Sequence, residues 1–100
     1  MLKVYDKAQW HIDAGEPEDK VIERFKMLFK FLDSKGLLIQ EGKEILELGI
    51  DSSVSIHERM LSDAGNSFLD KYYNKVLESG LSQYEDMLEN AYNDYIKVVI

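Results

Sequence analysis

The stretch Pro17–Lys35, PEDKVIERFKMLFKFLDSK, decides the fold. At 100° per residue, Val21, Ile22, Phe25, Leu28, Phe29 and Leu32 fall within an arc of about 120°, which marks a helix with one apolar stripe. Pro17 suits the first helical position, where its missing N–H would have no partner anyway. Glu18 and Asp19 in the first turn and Lys35 in the last oppose the partial charges of the helix ends. Two apolar residues break the pattern. Met27 and Phe31 project away from the stripe, among Lys20, Arg24 and Lys30. Either this helix is central and covered on both sides, or Met27 and Phe31 form an exposed contact for a homodimer. Burial is the expectation, because a five-helix domain ordinarily has one helix in its middle.

Four further segments flank this one. A first runs from Asp6, as N-cap, to Ala14. A third spans Glu41–Leu48, with Ile45, Leu46 and Leu48 apolar and Leu37-Leu38 leading into it. A fourth spans Asn66–Ser79, where Phe68, Leu69, Tyr72, Tyr73, Val76 and Leu77 share a stripe. A fifth starts at Ser82, with a Ser82-Gln83-Tyr84-Glu85 capping box, and carries Tyr84, Met87, Leu88, Ala91, Tyr92, Tyr95 and Val99 on its apolar side. Gly15, Gly36, Gly49 and Gly80 each follow a helical stretch, as residues that tolerate positive φ do. Between the third and fourth segments lies the serine-rich stretch 50–61. Val54, Ser55 and Ile56 alternate like a short strand, but no pairing partner is evident, so an irregular loop or helical turn is an equal reading. The expected fold is therefore all-α: one domain over residues 1–100, a bundle of about five helices with one irregular or short-strand segment.

One internal echo stands out. Leu37-Leu38, Gly42 and Ile45-Leu46 recur 23 residues later as Met60-Leu61, Gly65 and Phe68-Leu69. Two copies do not make a solenoid, and the expectation is two similar helix starts packing onto one core.

Composition narrows the function classes. Twelve Lys and Arg against 19 Asp and Glu give a net charge of −7, which argues against a nucleic-acid binder that relies on phosphate contacts. The chain has no cysteine, which removes disulfides, thiol nucleophiles and Cys-ligated metals. Apolar runs are too short to span a membrane. The opening residues MLKVYDKAQW carry charges where a secretory signal needs an apolar stretch, so a cytoplasmic location is expected. There is no GxSxG, phosphate-cradling glycine loop, HExxH or DxDxDG spacing. No catalytic residue, metal or cofactor is assigned on these grounds.

Three groups of residues remain as candidates. Glu85, Asp86, Glu89, Asn93 and Asp94, with Asn90, line the polar side of the last segment, countered only by Lys97. They are either a plain solvated face or an acidic surface that steers a basic protein partner. Trp10 and His11 are adjacent. They would form either a ligand platform or, the stronger reading, a core anchor and a locally bonded histidine. Five of the six tyrosines fall between Tyr72 and Tyr95, where they fit the rim of a small core better than an interface.

Tyr5-Asp6-Lys7-Ala8, Trp10-His11, Gly15, Pro17, the helix bearing Phe25, Leu28, Phe29 and Leu32, and Gly36-Leu37-Leu38 together resemble an uncharacterised bacterial domain family. Its mark is a Lys-Ala-x-Trp-His start before a glycine/proline turn. The resemblance covers residues 5–38. It implies a small helical cytoplasmic protein with relatives that look like immunity proteins of toxin systems. Trp10 and His11 carry over as a shared feature; no catalytic residue does.

The expected function is thus a non-enzymatic interaction domain, an immunity- or antitoxin-like inhibitor with an acidic surface for a basic partner. The alternatives are a winged-helix-like regulatory domain and a small ligand-binding domain built on Trp10 and His11. The regulatory reading needs a basic helix. The second segment, which mixes Lys20, Arg24, Lys26 and Lys30 with Glu18, Asp19 and Glu23, does not supply one.

Overall fold

A computed structural model describes residues 2–77 and 81–99, with backbone only for 81, 82 and 99. The chain runs β1 (Val4–Lys7), α1 (Ala8–Asp13), α2 (Glu18–Ser34), α3 (Gln40–Leu48), β2 (Ser55–His57), a 3-10 turn (Glu58–Met60), α4 (Asp63–Leu77) and α5 (Leu81–Val99). The architecture is all-α with one small sheet, as the periodicity implies. Its Cα radius of gyration is 12.8 Å, against about 13 Å for a compact chain of this length.

Helix α2 is the central helix. Val21, Phe25, Leu28, Phe29 and Leu32 bury its main stripe, and α1, α3 and α5 all pack on it. Phe31, on its other side, is only 6 % exposed, and Met27 is half-buried against the same core. Phe31 meets Tyr92 edge-on at 5.9 Å and Phe68 at 6.3 Å, so α4 and α5 cover the second side. Pro17 stands at the N-cap, one residue before its expected place. The tyrosines behave as core: Tyr73, Tyr84 and Tyr95 are buried, and Tyr72 and Tyr92 pack against the core. Gly15, Gly36 and Gly49 take positive φ after α1, α2 and α3. Gly80, and the Ser82 side chain of the expected capping box, lie outside the described residues.

The N-terminus differs from expectation. Asp6 does not cap α1. It lies in β1, and the cap position belongs to Lys7, whose side chain makes no capping bond. Of the two readings left open for 50–61, the short strand near Val54–Ile56 is present, one residue later, and β1 is the partner that the sequence did not reveal. The two pair antiparallel, Val4 with His57, Asp6 with Ile56 and Lys7 with Ser55, with a bulge between Val4 and Asp6. The Tyr5 hydroxyl, donating to Asn66 Oδ1 at 2.7 Å, ties this ribbon to α4. Helix α4 also starts earlier than expected, at Asp63, because Ser62 Oγ accepts the Gly65 N–H at 3.1 Å and satisfies a free donor of the first turn.

The internal echo turns out to be a contact. Leu38 and Leu61, equivalent positions 23 residues apart, pair in an antiparallel bridge. Ile39 N donates to Met60 O at 2.9 Å, and Ser62 N to Leu37 O at 2.9 Å, two bonds that exchange under a local pseudo-two-fold. The glycines obey the same symmetry. A Cβ on Gly42 would lie 2.7 Å from Met60 O, and one on Gly65 would lie 2.8 Å from Leu37 O. Each helix start rests on the backbone of the other, so the two segments pack on each other and not merely on a shared core.

Candidate functional site

Two of the expected surfaces converge. Helix α5 presents Glu85, Asp86, Asn90, Asn93 and Asp94 exposed, and Glu89 partly so. Where α5 lies along α2, Met27, Lys30, Phe31, Ser34, Glu85 and Glu89 line a shallow groove of about 400 Å³. The apolar pair singled out on α2 and the acids singled out on α5 thus share one groove. Lys35 pairs with Glu89 of this groove. Its ammonium lies 3.4 Å from Glu89 and sits over the rings of Phe31 and Tyr92 at 5.5 and 5.4 Å. Asp86, Asn93 and Asp94 do not line the groove; they face solvent on the same helix.

The other candidate pair, Trp10 and His11, divides. Trp10 is not a core anchor. It is 52 % exposed, with the Lys7 ammonium 5.9 Å above its ring. His11 points inward to Asp6, the residue expected as a helix cap. Asp6 is only 2 % exposed, and a buried carboxylate is costly unless its oxygens find donors. His11 Nε2 lies 2.7 and 2.9 Å from its two oxygens, Tyr73 Oη donates to Oδ2 at 2.7 Å, and Lys7 N donates to Oδ1 at 2.9 Å. Burial, together with the neighbouring Tyr84 and the Asp6 charge, pushes the Tyr73 phenol well above its ordinary range, so Tyr73 acts as donor.

The network continues outward. His11 Nδ1 lies 3.0 Å from Glu16 Oε2, and both guanidinium ends of Arg24 donate to Glu16, at 3.2 and 2.9 Å. The Arg24 bonds, against some burial, hold the Glu16 carboxyl below its usual value. The set joins β1, α1, the following turn, α2 and α4.

This arrangement limits what His11 can do. A triad histidine keeps one ring nitrogen for the nucleophile, and a ligating histidine keeps one for the metal. Here each ring nitrogen faces a carboxylate oxygen. The chemistry is that of a clamp fixing a buried charge. The sequence signal was the Asp6–His11 spacing of five, one beyond a helical turn, which a strand-to-helix corner folds back into contact. Glu16, Arg24 and Tyr73 gave no local signal.

His57, the other histidine, lies 3.2 Å from Glu41 and accepts the Arg59 N–H at its Nδ1. Among the described residues there is no group of three or more His, Asp or Glu placed to hold a metal, and no helix long and apolar enough to cross a membrane. Comparison with protein families, with curated proteins and with solved structures finds no match to this chain.

Proposed function

We propose that this chain is a non-enzymatic interaction domain, an immunity- or antitoxin-like inhibitor whose α5 face docks on a basic partner protein. The observation that carries this reading is the exposure of Glu85, Asp86 and Asp94 along one helix. Among the described residues, Glu89 is the α5 acid with an ion pair. Exposed carboxylates outside ion pairs contribute little to folding and project a negative field that accelerates encounter with a cationic surface. A nuclease toxin, whose cleft attracts phosphate, offers such a surface. The resemblance of residues 5–38 to a family with immunity-like members points the same way, and a cytoplasmic site of action fits it.

Calorimetry against the purified product of the adjacent gene tests the proposal. Binding should weaken with salt, and should weaken at least tenfold when Glu85, Glu89 and Asp94 are changed to lysine. Binding indifferent to both would refute the electrostatic docking.

A further inference from the structure

Helices α3 and α4 start alike, yet their equivalent apolar residues are buried to different depths. In α4, Phe68 and Leu69 are buried, with Tyr92 and Tyr95 of α5 edge-on to Phe68 at 5.6 Å each. Their equivalents in α3, Ile45 and Leu46, are only half-buried. Three residues further on, α4 has the exposed Lys71, whereas α3 has Leu48, which is 84 % exposed. Beside it, Ile45, Leu48, Val54 and Met60 surround a cavity of about 290 Å³, whose rim is Asp51, Ser53 and Ser55. Val54 and Met60, both buried, form its apolar floor. The volume sits at the lower end of small-molecule pockets and suits one or two inserted side chains.

We propose that this α3 face is a docking surface for a basic amphipathic helix of a partner protein. Ile45 and Leu48 on one side of α3, beside a cavity floored by Val54 and Met60, suit the apolar ridge of an amphipathic helix. Charge identifies its chemistry. Glu44 and Glu47 on α3 are exposed, and Lys43 is the only base on that helix. Asp51, on the cavity rim, adds a third acid, its carboxylate accepting from the Ser53 backbone and side chain. An apolar ridge entering the cavity, flanked by lysine or arginine, satisfies both features. The proposal is independent of the α5 reading, since it uses none of the α5 acids.

The test titrates a synthetic leucine–lysine amphipathic helix into the isotopically labelled full chain. Amide shifts should concentrate on Ile45, Leu48, Val54, Ser55 and Met60. Leu48→Glu should lower affinity at least tenfold with an unchanged melting curve, and Glu44→Lys with Glu47→Lys should remove most of the salt dependence. Four outcomes would overturn the proposal: no binding, shifts centred on α5, affinity unaffected by Leu48→Glu, or a concentration-dependent self-association that Leu48→Glu abolishes, which would make the occupant a second copy.

Discussion

Leu37–Leu46 and Met60–Leu69 are nearly the same device used twice, and they end in different surroundings. Each contributes one leucine, Leu38 or Leu61, to a bridge with the other, each lays a glycine on the other's backbone, and each starts a helix. The second start is finished: Ser62 caps it, and aromatic rings from α2 and α5 close over Phe68. The first is left open: Ile39 holds its N-cap position without a side-chain bond, and Leu48 stands in solvent. The lesson is that a local symmetric contact can fix two helix starts without fixing what covers the helices.

The largest expected effect separates the two faces. Phe68→Ala should cost about 4 kcal/mol, as for a fully buried ring, whereas Ile45→Ala should cost about 1 kcal/mol, read by denaturant unfolding. Equal costs would mean that the faces are equally packed. The next effect tests their equivalence. Gly42→Ala and Gly65→Ala each press a methyl onto a carbonyl oxygen and should each cost about 2 kcal/mol in the same assay. A harmless change at either position would break the symmetry. A smaller effect has the opposite sign. Ile39 already has the extended backbone of an N-cap, so Ile39→Ser should install the bond that Ser62 makes and raise stability by about 1 kcal/mol. The smallest is Leu48→Ser, which should change stability by less than about 0.5 kcal/mol, since almost nothing is buried there.

The helices were legible because period 3.6 is a local property. Val21 to Leu32, Phe68 to Val76 and Tyr84 to Tyr95 declare their inner faces within a few turns of themselves. The two-sided burial of α2 was legible for the same reason, from Phe31 standing against the stripe. What remained hidden depended on distant partners. β1 has four residues, and an aspartate in its middle imitates a helix cap; only pairing with β2, some fifty positions away, makes it a strand. The role of Asp6 needed Tyr73 as well as His11. The echo was visible as a repeat, but its reciprocal contact was not, because spacing alone does not say whether two copies meet. Of the candidate sites, the acids of α5 were readable as exposed, and their meeting with Met27 and Phe31 in one groove was not.

Asp6 is joined to Tyr73 across a separation of 67 residues, with His11 nearby in the chain completing the set. Contacts of such sequence separation slow folding relative to local helical ones. During synthesis, β1 therefore cannot complete the hydrogen bonds of Asp6 until residue 73 has been added. Until then Asp6 lacks its Tyr73 donor, and helices that rest on local contacts do not have to wait for it.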